Sequence, residues 1–180
     1  MRLQTYELIV HPDSAPAAVQ CVRVRWKELP DGRLMLRYRV VGSAQLVTAA
    51  KLGSGRGRDL WRTTCFELFL YDGDGRYREF NFAPSQLWDA YGFTGYRSDG
   101  RDYVPRCEPE ILSDRGVDLF VLTAFIDQAE LEGAQSAAIS AVLEEEGGAL
   151  SWWALAHNGP KPDFHDPACF RLQLASAHVS

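Results

Sequence analysis

Period-two alternation constrains this chain more than any other feature, and it points to β-structure. Val22, Val24 and Trp26 fall on one side of an extended segment, while Arg23, Arg25 and Lys27 fall on the other. Successive side chains of a strand point to opposite faces, so the segment reads as a ribbon with one buried and one wet face. Leu29-Pro30-Asp31-Gly32 supplies turn chemistry, after which Leu34, Leu36, Tyr38 and Val40 alternate against Arg33, Arg37 and Arg39. Together they predict a hairpin. Further strands are expected over 66–70, 77–82, 117–126, 138–143, 150–156 and 170–174, and only 127–133 reads as a short helix or turn. Short strands joined by turn-rich segments, without intervening helices, favour an all-β antiparallel β-sandwich over a parallel α/β sheet. No repeat or compositional break divides the 180 residues, so residues 1–180 are expected to form one domain.

Composition narrows the class of function. The chain is 46% hydrophobic and 24% charged, as a folded protein is, and its formal net charge of -5 argues against a dedicated nucleic-acid binder. The arginines of the first hairpin are read as a solvated strand face. The N-terminus carries no long apolar stretch and no segment has the length of a membrane-spanning helix, so a cytoplasmic protein with no membrane partner is expected. Cys21, Cys65, Cys107 and Cys169 form no CxxC pair and read as small buried thiols in a reducing compartment.

The segment 66–82 holds the candidate chemistry. For Phe80 and Phe82 to share a core with Phe66, Leu68 and Leu70, Glu67 must pair opposite Glu79 or opposite Asn81, because a slip of one residue reverses every side chain. Either register needs an odd-length loop, with Gly73 or Gly75 in the left-handed conformation. Glu67, Tyr77, Glu79 and Asn81 then share the opposite face. Two acids, an amide and a phenol can hydrogen-bond sugar hydroxyls or hold calcium through oxygen ligands, or the acids can pair with Arg76 and Arg78. A glycosidase reading is disfavoured, since no enclosed cleft is expected around the pair.

Aromatic residues flank this hairpin. Trp61 lies at the mouth of the strand, where an indole face can stack on a pyranose ring, and Trp88, Tyr91, Phe93, Tyr96 and Arg97 follow. Of Trp152 and Trp153, alternation buries one and turns the other to the second face. The glycine–arginine loop 53–58 precedes a strand rather than a helix and lacks a GK[ST] ending, so it reads as a mobile surface loop with no phosphate role. The 157–167 segment holds His157, Asn158 and His165 among prolines, without a metal-ligand spacing, and reads as a rigid loop. No GxSxG elbow is present. No catalytic residue is expected.

Leu60-Trp61-Arg62-Thr63-Thr64-Cys65-Phe66-Glu67-Leu68-Phe69-Leu70 resembles a segment of the DOMON-like superfamily, which includes family 9 carbohydrate-binding modules. Tyr77-Arg78-Glu79-Phe80-Asn81-Phe82-Ala83-Pro84 is similar to the strand that follows it, and the stretches 150–157, 162–165 and 170–172 resemble the closing segment of small stand-alone bacterial members. The resemblance implies a jelly-roll sandwich whose sugar-binding members clamp a terminal sugar between two aromatic rings. Trp61 and Glu67 match a clamping tryptophan and a hydroxyl-binding acid. The loop 157–162 lacks the second clamping tryptophan, a place Trp153 or Phe164 could fill. Other relatives bind haem through methionine and histidine. Met35 with His157 or His165 could imitate that, but no motif supports haem here.

The expected function is therefore non-catalytic binding of a small polar ligand or glycan. Trp61 serves as platform, Glu67 as hydroxyl acceptor, and Glu79, Asn81, Arg97, Trp153 and Asn158 are further candidates. A sugar-processing enzyme or accessory, an interaction scaffold and a haem domain are the alternatives. Single-ring stacking with wet hydrogen bonds predicts affinities on the order of tens of micromolar to millimolar.

Overall fold

The computed structural model describes residues 3–174. Thirteen strands make up one curled sheet: β1 (Leu3–Val10), β2 (Cys21–Glu28), β3 (Arg33–Val41), β4 (Gly55–Arg56), β5 (Cys65–Tyr71), β6 (Tyr77–Phe82), β7 (Leu87–Phe93), β8 (Arg101–Asp102), β9 (Glu110–Arg115), β10 (Leu119–Asp127), β11 (Ser136–Glu145), β12 (Ala149–Ala154) and β13 (Leu172–Gln173). The hydrogen-bonded order is β4-β7-β6-β5-β11-β12-β1-β2-β3-β10-β9, with β8 added to β7 and β13 to β11. Every pairing is antiparallel except β4 with β7. No α-helix occurs among the described residues; the expected turn near residue 130 is a single 3-10 turn, Gln128–Leu131, whose first amide is capped by the Asp127 side chain.

β1 explains how the sheet curls. Its Leu3–Leu8 segment pairs with β2, and Ile9 and Val10 then pair with Ala154 and Trp153 of β12. One strand therefore belongs to both halves of the sheet, which fold over a shared core. Val22, Val24 and Trp26 of β2 and Leu34, Leu36, Tyr38 and Val40 of β3 are buried, as their alternation requires. They meet Phe66, Leu68, Leu70, Phe80 and Phe82 from the other half in one apolar cluster. Tyr38 spans the interface: its ring lies 4.9 Å from that of Phe66, and its hydroxyl donates to the Glu67 carbonyl at 2.8 Å.

The hairpin β5–β6 takes the second of the two registers open to it, with Glu67 opposite Asn81 and Leu68 opposite Phe80. Its connection, residues 72–76, contains both Gly73 and Gly75 at positive φ (88° and 99°), a conformation side chains rarely tolerate. Arg76 pairs with Asp74 in that loop, and Arg78 with Asp72 and Glu130. Neither arginine reaches Glu67 or Glu79, so the pairing that would have made those acids merely structural does not form.

Two expectations about surface chemistry need correction. Loop 53–58 is not a free surface loop: Gly55 and Arg56 pair with β7, and Arg56 and Arg58 converge on the fully buried Asp89 at 3.2 and 3.6 Å. A buried carboxylate needs cations, and these arginines supply them. Cys65 and Cys169 are buried thiols, but Cys21 is only half-buried and Cys107 is exposed. Cys107 lies in the loop before β9, with its thiol 3.6 Å from the Asp127 carboxylate.

Candidate functional site

Register alone assembles a polar row across the outer face of β11, β5, β6 and β7. Ser140 lies opposite Glu67, Glu67 opposite Asn81, and Asn81 opposite Asp89. One row away, Ala138, Phe69, Glu79 and Tyr91 align in the same order. Glu67 and Glu79 are thus diagonal neighbours on adjacent strands, a relation that sets their backbones about 7–8 Å apart and lets their side chains converge.

This face is covered. Residues 162–170 cross over it, burying Phe164 and Phe170 against Phe69, Tyr77 and Ala138 in a second apolar cluster. A pocket of about 550 Å³ remains between this segment and the sheet, in place of the open surface expected from strand spacing. Glu67 and Glu79 line it, although they are only 3% and 5% exposed, with Trp61, Tyr91, Phe93 and Trp152 around them. Trp61 sits on a 3-10 turn, Leu60–Arg62, and is 44% exposed; the Arg62 guanidinium lies 4.6 Å from its ring.

Each acid spends one oxygen on its own sheet. Glu67 Oε2 accepts from the Ser140 hydroxyl at 2.9 Å, and Glu79 Oε1 accepts from Asn81 Nδ2 at 2.7 Å. Among the described residues neither carboxyl has a lysine or arginine within ion-pairing distance; the nearest cationic candidate is His165, whose Nε2 is 3.7 Å from Glu79 Oε2. Burial raises the pKa of both acids well above the ordinary carboxylate range. The neighbouring Glu79 adds to the effect on Glu67, while the Ser140 and Asn81 hydrogen bonds work against it. Near neutral pH Glu67, pushed up to about 8, keeps its proton and Glu79, pushed up to about 7, is partly protonated, and a protonated carboxyl both donates and accepts.

His165 does not neutralise them. Burial, reinforced by the Arg97 charge and opposed by Asp163, lowers its pKa to about 4, leaving the ring neutral. The hydrogen bonds choose its tautomer: Tyr77 accepts from the Arg97 amide at 3.0 Å and its hydroxyl meets His165 Nδ1 at 2.9 Å. A neutral phenol donating to Nδ1 places the imidazole proton on Nε2, facing Glu79. Arg97 itself bonds Asp163 at 2.7 Å, and Tyr96 donates to the same carboxylate. Burial acts to raise the Asp163 pKa, but these bonds outweigh it and keep the group ionised.

Of the residues singled out from the sequence, Trp61, Glu67, Glu79 and Arg97 come together at the pocket, and Asn81 lies buried beneath, fixing Glu79. Two do not join them. Trp153 is 4% exposed and faces the main core, with Nε1 bonded to Ser151; it is Trp152, one residue earlier, that reaches the pocket. Asn158 donates to Asp166 in an outlying loop. Met35 stands between Lys27 and Phe125 on the outer face of β3, in the other half of the sheet, so it and His165 do not meet. His157 turns Nε2 to the Ile9 carbonyl and packs edge-on against His11. No group of three or more His, Cys, Asp or Glu side chains is disposed to hold a metal ion, calcium included, among the described residues. Nor is any helix there long and apolar enough to cross a membrane.

Comparison with known proteins yields one informative likeness. No protein-family model matches the chain, and no curated protein does. The crystal structure of a Bacteroides uniformis protein, provisionally named a carbohydrate-binding protein, superposes with a TM-score of 0.63 over 93% of this chain and 84% of that one, at 16% identity. At that identity the likeness concerns the fold.

Proposed function

We propose that this chain is a non-catalytic binding domain for a sugar or a related polar small molecule, held in the pocket between residues 162–165 and the β5–β6–β7 face. The observation that carries the reading is the pairing of two buried carboxyls without ion-pair partners on the pocket wall with an exposed indole at its rim. Carboxyls that donate and accept match the two-way hydrogen bonding of hydroxyls, while Trp61 and Trp152 offer apolar surface to the C–H face of a ring. The name carried by the Bacteroides uniformis protein agrees with this chemistry. We read the curled sheet as a jelly-roll sandwich of the DOMON-like kind, acting in the cytoplasm. Catalysis is disfavoured because both acids are pushed in the same direction. Acid–base hydrolysis of a glycoside needs environments that drive the two carboxyls apart.

The test is a panel of monosaccharides and short oligosaccharides, screened by thermal shift and followed by calorimetry on whatever raises the melting temperature. Trp61→Ala is expected to weaken binding at least tenfold and leave the melting temperature of the empty protein within about 2 °C, because the indole is half exposed. Trp153→Ala is expected to do the reverse, lowering stability by about 3–5 kcal/mol through a core cavity. Unchanged affinity in the Trp61 variant would remove the platform role.

A further inference from the structure

The pocket is built for more than neutral hydroxyls. We infer that it selects a ligand carrying a protonated amine beside its hydroxyls, an amino sugar or a molecule of that class, with the ammonium seated between Glu67 and Glu79. The inference rests on the binding reading above and adds the charge of the ligand.

The first observation is an imbalance of partners. Every other strongly buried acid in the described structure has its donors within the fold. Asp89 has Arg56 and Arg58, Glu130 has Arg78, Tyr103 and the Arg106 amide, and Glu145 has the amides of Ala17, Ala18 and Val19. Glu67 and Glu79 each have one neutral donor, Ser140 or Asn81. No hydrogen bond is formed by Glu67 Oε1 or Glu79 Oε2 among the described residues, and both carboxyls line the cavity. An ammonium has three donors and the compensating charge, which is what these two oxygens lack.

The second observation is independent of the acids. Trp61, Phe69, Tyr91, Phe93 and Trp152 surround the same space, and aromatic faces attract organic cations as well as sugar C–H groups. The remaining charged side chains near the pocket have partners of their own, although the Arg97 guanidinium still acts on Glu79 and partly offsets the effect of its burial. Arg62 lies 3.6 Å from Asp59 on the rim, Arg97 is bonded to Asp163, and Arg58 is bonded to Asp102 behind Tyr91. His165 is neutral, and Tyr77 and the buried Cys65 stay protonated, their pKa values raised by burial. Among the described residues the carboxyl pair is the one acidic group of the pocket with no directly bonded cation, so a cationic ligand that displaces its protons gains there and an anionic one loses.

The experiment is calorimetric titration at pH 7.5 with D-glucosamine, 6-amino-6-deoxy-D-glucose, D-glucose and methylammonium, on the unaltered protein and on the Glu67→Gln/Glu79→Gln double variant. One or both amino sugars should bind at least tenfold more tightly than glucose. In the double variant, whose folding is checked by its melting temperature, that margin should vanish, with neither amino sugar binding more tightly than glucose. Proton release should accompany binding of the amine, seen as heats that change with the ionisation enthalpy of the buffer. Equal affinity for glucose and both amino sugars overturns the amine inference and leaves the sugar reading standing. Methylammonium binding as tightly as an amino sugar overturns the sugar reading and leaves the cation site. Binding by none of the four overturns both.

Discussion

The Glu67→Gln protein should be more stable than the unaltered protein at pH 8, and the difference should shrink toward zero as the pH falls to 5. A carboxyl whose folded pKa lies above its unfolded value binds more protons in the native state. Its stabilising share is complete below the unfolded value near 4.5 and is lost as the pH climbs toward the folded value. Glutamine reproduces the protonated acid, keeps an oxygen for the Ser140 hydroxyl and cannot ionise. The advantage at pH 8 should be on the order of 2 kcal/mol, the scale of forcing a charge into a site without a cation. At this chain length that corresponds to a rise of about 4–8 °C in Tm. The histidines act with the opposite sign. His157 and His165 are lowered by burial, so they withdraw stability as the pH falls below 6.5, but they do so in both proteins and cancel from the comparison. Melting curves at half-unit intervals from pH 5 to 8.5 measure the difference. A constant offset across that range would show that the carboxyl is not buried against charge. The same substitution should weaken binding of a charged ligand, the trade-off expected when a binding group is held at the expense of stability.

Glu145→Ala should have the largest effect of any single change away from the core. Glu145 is completely buried on β11, and its carboxylate accepts from three consecutive amides, Ala17 at 2.7 Å, Ala18 at 2.6 Å and Val19 at 3.1 Å. These bonds anchor the loop between β1 and β2, and no other side chain replaces the acceptor. Charge-assisted bonds to buried amides are each stronger than neutral ones, and removing the acceptor strands all three donors. A loss of about 3–5 kcal/mol follows, or on the order of 10 °C in Tm. Amide exchange should accelerate selectively at residues 17–19. A fall in stability below about 1 kcal/mol would mean that water replaces the carboxylate without penalty.

Much of the architecture could be read without coordinates because a strand has a period of two. Parity sorted Val22, Val24 and Trp26 from their arginine neighbours, and it put Glu67, Glu79 and Asn81 on one face before the register was known. Parity could not say which tryptophan of the 152–153 pair faced outward, since that depends on Trp153 lying opposite Ala141, a pairing set by β11. Strands with broken patterns escaped notice. β7 is interrupted by Gly92 and by Asp89, whose burial is made tolerable by Arg56 and Arg58 from a distant loop, and β9 is mostly polar. The stripe of β1 is short, Tyr6, Leu8 and Val10, and it is masked by Leu3 and Ile9, which lie exposed on the opposite face. The pocket itself was invisible because its roof comes from residues 162–165, far along the chain from the acids it covers. A non-local lid leaves no local periodicity. Its one traceable sign was the cluster of aromatic and histidine residues near 164–170, which bury against Phe69 and Tyr77.

The strand shared between the two halves of the sheet imposes an order on synthesis. β1 leaves the ribosome long before the partner that closes it to the other half, β12, which ends at Ala154. Until then the nascent chain can zip β1, β2 and β3 together but cannot join that meander to β5 and β6, so apolar surface on both must wait uncovered. The segment that covers the acids emerges later still. Binding competence therefore waits for the segment 162–165, and a ribosome stalled between residues 154 and 162 holds a chain with twelve of the thirteen strands and no roof over the pocket.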